Sequence, residues 1–242
     1  MNIQPISSPN PSNVFISILK YILFVAALLA VSKAMAIGPI ENQTLIYSVD
    51  YAGQNAGELE VVIHTKGDQL SVTSHSHLSL LAKMFLSAQT TKADFSLGKG
   101  QPKLIRGADY QQKDQSLLRS FTINGTIITL NNNEQIPFAP GELLDADAFP
   151  VALMGSDLST LAGRKVLIIS GKRVRVDIYQ PISTEIITTP NGDVATSRVT
   201  RVRENANDSS VTYWLNEHQV PVKILSEKKG KKTTLTLLSR RQ

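Results

Sequence analysis

From Leu45 onward the chain alternates apolar and polar positions in short runs. Leu45, Tyr47, Val49 and Tyr51 interleave with Ile46, Ser48 and Asp50, and Gly53-Gln54-Asn55 follows with turn chemistry. Leu59, Val61 and Ile63 share one face of the next run, with Glu58 and Glu60 on the other. Lys66-Gly67-Asp68 turns the chain again, and Leu70 to His77 carries Ser71, Thr73, His75 and His77 on a polar face. Three such runs joined by short loops predict an antiparallel meander. Further strands are predicted over Lys92–Leu97, Lys103–Tyr110, Leu117–Ile123 and Thr126–Leu130. The last two are split by Asn124-Gly125, a strong hairpin signal because both residues tolerate positive φ.

Two segments break the alternation. Leu78 to Leu86 is apolar nearly throughout and reads equally as a short helix or a buried strand. Pro137 to Pro150 is polar and marked by proline. In it Asp145 or Asp147 would cap a short helix over Phe149–Met154, with another helical turn near Ser156–Ala162. Strands then resume over Lys165–Ile169, Lys172–Gln180, Thr184–Thr189, Val194–Arg203, Val211–Leu215, Val220–Ser226 and Thr233–Leu238. About a dozen strands in consecutive hairpins, with one or two short helices, predict a mainly β domain. Its economical form is one large curved antiparallel sheet, an open or half β-barrel. The break at 137–163 is the place where two separate sheets would divide.

Val14 to Ala36 does not follow this pattern. Lys20 precedes the apolar run Tyr21–Val31, and Ala34-Met35-Ala36 supplies small residues at A-x-A positions. This predicts a signal peptide over 1–36, cleaved after Ala36, and a single β-rich domain over 37–242 in the periplasm. The alternative is an uncleaved inner-membrane anchor, which requires Lys20 inside the span. Cleavage removes two lysines and no acid, so the net charge falls from +5 to +3, too little to argue for nucleic acid. The chain has no cysteine. That excludes thiol catalysis, thiolate metal sites, disulfides and acylation as a lipoprotein, although export would permit disulfides. No later apolar run has the length of a transmembrane helix, and aromatic girdles of the kind found in membrane β-barrels are missing.

Candidate chemistry is sparse. His75-x-His77 places two imidazoles on one strand face, yet no further ligand lies near in sequence. Ser226-x-x-Lys229 has the spacing of an acyl-enzyme nucleophile, but it falls in a strand and turn without the accompanying motifs, and the same spacing recurs at Ser17-x-x-Lys20. Asp145-x-Asp147, with Glu142 nearby, offers paired carboxylates, which helix capping explains more simply. Arg173 and Arg175 share a strand face with Asp177, and Arg201 and Arg203 repeat the arrangement beside Glu204. Were these strands neighbours, the result would be an arginine ladder. Its plain reading is a solvated face, and its sharper one a surface for anionic head groups or glycan phosphate.

Three patches together resemble the domain-of-unknown-function 3108 family of bacterial envelope proteins. They are Tyr47 to Leu59, with Tyr-x-x-x-Tyr leading to Ala56-Gly57; Asp147-Ala148-Phe149-Pro150-Val151-Ala152-Leu153; and Thr212-Tyr213-Trp214-Leu215-Asn216 followed by Val220-Pro221-Val222-Lys223-Ile224. The resemblance implies a secreted or periplasmic β-rich protein with an open barrel similar to the lipoprotein carriers of the outer-membrane localisation system. It carries no catalytic residues. Tyr47, Gly57, Trp214 and Pro221 enter as scaffold landmarks.

The expectation that follows is a non-enzymatic periplasmic protein without cofactor or metal. It would hold an apolar or amphipathic ligand against the concave face of its sheet, with Val49, Tyr51, Leu59, Val61, Ile224 and Leu235 facing the ligand or filling a closed core, and with Leu78 to Leu86 as plug or lid. The alternative is an envelope scaffold that docks a protein, or an anionic lipid or glycan, through sheet edges or the face of Arg173, Arg175, Arg201 and Arg203. An envelope hydrolase ranks third.

Overall fold

A computed structural model describes residues 40–83, 88–98, 102–146, 149–204 and 206–242. The segment read as a signal peptide, its cleavage point after Ala36, and Asp147 all lie outside them. Sixteen strands among the described residues form one sheet. One arm is a meander of β1 (Gln43–Tyr51), β2 (Gln54–Lys66), β3 (Gln69–Leu78), β4 (Gln89–Leu97), β5 (Pro102–Gln111), β6 (Leu117–Asn124), β7 (Ile127–Leu130) and β8 (Gln135–Pro137), each hydrogen-bonded to the one before. The other arm leaves the opposite side of β1. It passes through β16 (Lys231–Arg241), β15 (Pro221–Lys228), β14 (Ala206–Leu215), β13 (Gly192–Arg203), β11 (Val174–Tyr179) and β10 (Lys165–Ile169) to β9 (Leu143–Ala146). A further strand, β12 (Ser183–Thr189), pairs with the first half of β13, while β11 pairs with its last residues.

The mainly β, curved, open sheet read from the sequence is the fold observed, and the break at 137–163 does not divide it into two sheets. Three details differ. The short strand β8 runs up to the break and β9 lies within it, and β9 runs parallel to β10. A parallel neighbour needs a long crossover, and the segment from 147 to 164 supplies it. The hairpin expected at Asn124-Gly125 turns one residue later, with Asn124 paired to Ile127 and Gly125 at φ +59°. The Pro150-to-Met154 segment forms a single helical turn, α2 (Val151–Met154), whose N-cap is Pro150 without any side-chain cap. The expected capping by Asp145 is therefore corrected: Asp145 is a buried residue of β9. Asp157 does cap, accepting from the Ser159 amide at the 3₁₀ turn Leu158–Thr160.

The short helix α1 (Leu80–Lys83) follows β3, with the Ser79 hydroxyl accepting from the Ala82 amide. Leu80 is exposed, and the rest of the ambiguous apolar segment, 84–86, lies outside the described residues. Among the described residues the concave face is filled by strands and crossover. Alternate residues of the strands supply Leu45, Tyr47, Val61, Ile63, Leu70, Val72, Phe95, Phe121 and Ile128. Phe149, Val151, Leu153, Met154 and Leu161 of the crossover pack into the same core. The crossover is an insert seated in the curve of the sheet.

The path of the sheet starts at β8 and ends at β9, with no ladder joining them among the described residues, so the sheet is open. Its two arms nevertheless approach. The Asn131 amide donates to the Gly171 carbonyl at 3.3 Å. Gly171 has φ +72°, and a Cβ there would lie 3.0 Å from both the backbone nitrogen and the carbonyl oxygen of Ser120. Glycine is what lets the β10–β11 turn sit against β6.

Candidate functional site

The insert is held at one point by residues far apart in sequence. Tyr47, fully buried on β1, donates its hydroxyl to the Pro221 carbonyl at the start of β15, 2.8 Å away. Its ring packs against Phe149 of the insert, centroids 5.9 Å apart and tilted by 54°. Next to Pro221, Gln219 donates its side-chain amide to the Ser156 carbonyl of the insert at 3.0 Å. Gln219 reaches there from a tight turn in which the Asn216 carboxamide oxygen accepts from the His218 and Val220 amides. Burial pushes the Tyr47 hydroxyl well above the ordinary phenol range, so it stays a donor. Gly57, opposite Val49, has φ +126°, and a Cβ would collide with the His77 carbonyl 2.1 Å away. No other residue fits that bulge between β1 and β2.

The far end of the insert returns to β10 beside a buried charged cluster. β11 and β13 are neighbours in register, with Tyr179 opposite Arg201 and Asp177 opposite Arg203. This turns Arg175, Asp177, Tyr179, Arg201 and Arg203 to one face. Arg201 has only 3% of its side chain exposed. It lies 3.5 Å from Asp145 and 3.6 Å from Asp177, and Arg175 meets the other oxygen of Asp177 at 3.3 Å. The Arg201 guanidinium sits over the Tyr213 ring, 5.5 Å from its centroid. Asp145 and Arg201 belong to strands separated by β10 and β11, about 14 Å apart on a flat sheet. Their contact therefore reports the curvature of this arm. Burial acts against the Arg201 cation, yet Tyr213, Asp145, Tyr179 and Asp177 together raise its pKa. Tyr179 is raised by burial first and by the Asp145 carboxylate second. Arg201 is thus a cation and Tyr179 a neutral phenol at neutral pH; Arg175 and Arg201 meet the carboxyl groups of Asp145 and Asp177, and Arg203 shares their face. The Arg203 Nε is buried and makes no hydrogen bond to the described residues.

The structure sorts the residues expected to face a ligand. Val61 and Ile224 are buried core, and Leu59 and Leu235 pack partly buried against it. Tyr51 is the exception, 38% exposed at the end of β1. The extra residue of the bulge at Val49 and Asp50 is Ala56 of β2, so Tyr51 keeps the phase of Val49 and is exposed because β1 ends there. Of the four arginines, Arg175, Arg201 and Arg203 come together, while Arg173 is exposed ahead of β11. The solvated-face reading of this ladder is corrected: the shared face is the concave one, and Glu204 turns away to Lys165, 2.5 Å distant. His75 bonds the Thr90 hydroxyl at 3.0 Å, and His77 lies 3.7 Å from Glu60. Among the described residues no three histidine, aspartate or glutamate side chains converge on a metal-sized site.

Sequence reasoning missed Tyr179, Asp109 and Arg119. Asp109 and Arg119 form an ion pair on β5 and β6, lining a small crevice with Ala146, Ile169 and Gly171 where the arms approach. The crevice has room for about one water. The signal was present as an acid and a base at inward-facing positions of successive predicted strands. It becomes readable only once the phase of each strand is known.

A family model described as protein of unknown function, DUF3108, matches residues 46–236. The chain belongs to that family. The three patches that carried the resemblance are the ones that meet in space: Tyr47 from the first, Phe149 from the second and Pro221 from the third. Trp214, the remaining landmark of this DUF3108 chain, faces the other side of the sheet from Tyr213. It lies between Lys223 at 5.0 Å and Arg198 at 5.9 Å, with its indole N–H donated to Glu185. No curated protein matches the chain. Among solved structures it is similar in fold to a β-barrel-like protein of the domain of unknown function DUF1849 from Brucella abortus, with TM-score 0.54 and 8% identity over 83% of this chain and 97% of that one. A hypothetical lipoprotein, YmcC from Escherichia coli, aligns with TM-score 0.32 and 14% identity over 90% and 94% of the two chains.

Proposed function

We propose that this chain is a non-enzymatic binding protein of the bacterial periplasm that receives an amphipathic molecule with an anionic head on the concave face of its sheet. The observation that carries this reading is the insert. Phe149, Val151, Leu153, Met154 and Leu161 occupy the curve of the sheet, yet they belong to no strand, so they can leave without breaking a ladder. The space they fill is apolar, and the adjoining wall is cationic, with Arg175 and Arg201 against Asp145 and Asp177 and Arg203 in register opposite Asp177. An acyl chain in place of the insert and a phosphate or carboxylate at Arg203 would match both features. The exported location rests on the segment 14–36 read from the sequence.

The test is native mass spectrometry of the protein recovered from a bacterial periplasm, with organic extraction of whatever is bound. A co-purifying anionic amphipath at one per chain, released in the Arg203→Gln variant, is the expected result. An apo mass that does not change on adding anionic phospholipid overturns the reading.

A further inference from the structure

The sheet ends in three places, and they are treated differently. β8 has three residues and closes with Pro137, a donor-less end that discourages pairing. β9 is short, and its Ala146 and Asp145 are buried. β12 is seven residues long, contains no lysine, arginine or proline, and is exposed at five positions. It carries Ile186, 73% exposed, among the most exposed large apolar side chains of the described residues. Its one acid, Glu185, is already engaged by the Trp214 N–H. Among the described residues β12 has a ladder on one side only, with β13.

The geometry of the hairpin defines what the other side offers. Thr189 pairs with Gly192 across a two-residue loop, so that pair is a hydrogen-bonded one and the pairs alternate from there. Ile187, Glu185 and Ser183 then bond to β13, in keeping with the Thr196 hydroxyl reaching the Glu185 carbonyl at 2.8 Å. The amides and carbonyls of Thr184, Ile186 and Thr188 point outward, a row of three unpaired groups.

We propose that this edge is a self-association surface, where two copies of the chain pair β12 with β12 antiparallel about a twofold axis through Ile186. The strand is complementary to itself in that register. Ile186 faces Ile186 of the second copy and Thr184 faces Thr188, so all three outward residues are paired. Alternation forbids a shift by one residue, because it would set outward groups against inward ones. A shift that brings residues 184 and 186 opposite one another places Glu185 against Glu185, and the opposite shift leaves Thr184 unpaired. In the proposed register Glu185 faces Ile187, Ser183 faces Thr189, and no like charges are opposed. Isologous pairing closes after two copies, which keeps an exposed edge from propagating.

Sedimentation velocity over a concentration series, on the chain purified in the form the cell makes, tests this. A monomer–dimer equilibrium is expected, and Ile186→Lys, which sets two ammonium groups opposite each other, raises its dissociation constant at least about tenfold with an unchanged circular dichroism spectrum. The absence of native cysteine makes register measurable. Ile186→Cys places two thiols on α-carbons about 5.5 Å apart, so the shortest bis-maleimide links them, whereas Thr184→Cys sites lie about 14 Å apart and link poorly. Monomer throughout the series, a dimer indifferent to Ile186→Lys, or equal linking at positions 184 and 186 overturns the proposal. A different protein captured on β12 by a chain that stays monomeric counts with the first of these.

Discussion

Replacing Arg201 by methionine tests whether the buried charged cluster holds the second arm in its curve. The guanidinium lies 3.5 Å from Asp145 and 3.6 Å from Asp177, and each contact amounts to about 4–5 kcal/mol at an effective dielectric of about 20. Much of this is offset by the desolvation of the cation, which the substitution relieves. What is left is the penalty of two buried carboxylates that have lost their shared cation, and breaking such a network costs about 3–5 kcal/mol. With a urea slope of about 2 kcal/mol/M, the midpoint falls by roughly 1.5–2.5 M. The readout is simple, because Trp214 is the sole tryptophan and sits on β14 beside the strand that carries Arg201. The double variant Arg201→Met, Asp145→Asn should recover part of the loss, since it removes one charge of each sign and leaves Asp177 with Arg175. A midpoint shift under about 0.5 M for Arg201→Met, or a further loss when Asp145→Asn is added to it, refutes the reasoning.

Three other outcomes are expected. Tyr47→Phe removes the bond to the Pro221 carbonyl and keeps the ring against Phe149, so it costs about 1–2 kcal/mol in urea unfolding; an unchanged midpoint would mean the carbonyl finds another donor. Tyr47 and Tyr179 both have pKa values raised by burial, so the folded state holds protons that the unfolded state loses above about pH 10. Each therefore withdraws about 1.4 kcal/mol per pH unit as the pH climbs from there toward its folded value, and none below; absorbance titration of phenolate against unfolding should show the slope halved in Tyr179→Phe. Gly171→Ala places a methyl group 3.0 Å from the Ser120 backbone at φ +72°, costing about 1–3 kcal/mol, and hydrogen exchange at the Asn131 amide should quicken as the arms separate.

The strands are legible because their alternation is local: the pattern marks β10 residue for residue, and β1, β4 and β5 within a few residues. The family is legible because its three patches are contiguous in sequence. What escapes is everything decided by contact between distant strands. Asp145 reads as a helix cap from its neighbours, and nothing in 142–150 announces that Arg201 of β13 will reach it. Arg175, Arg201 and Arg203 stand out together, but alternation says only that they share a face. Whether that face is wet or dry depends on which way the sheet curls. The same alternation turns Tyr51 inward, but it is the last residue of β1 and lies beyond the part of the strand that the core covers. β8 and β9 are hidden in a proline-marked stretch because strands of three and four residues carry too little pattern to separate from loop.

That the sheet stays open follows from how its ends are built. β9 can reach the first arm only as the outermost strand of a parallel pair, and its crossover must return to the start of β10 through the concave side. The crossover then occupies the ground that a closed barrel would fill with side chains from its own strands. Closure is transferred from hydrogen-bonded ladder to packed side chains: Tyr47 on Phe149, Gln219 on Ser156, Gly171 on Ser120. A ladder breaks all at once, whereas contacts of this kind come undone singly, each worth about 1–2 kcal/mol. The insert is thus the element of the fold that can be withdrawn at least expense to the rest. If Phe149→Ala and Gln219→Ala together quicken hydrogen exchange within 149–161 while leaving β1 to β4 protected, withdrawal is local. If all amides quicken alike, the insert belongs to the cooperative core and the concave face opens only on unfolding.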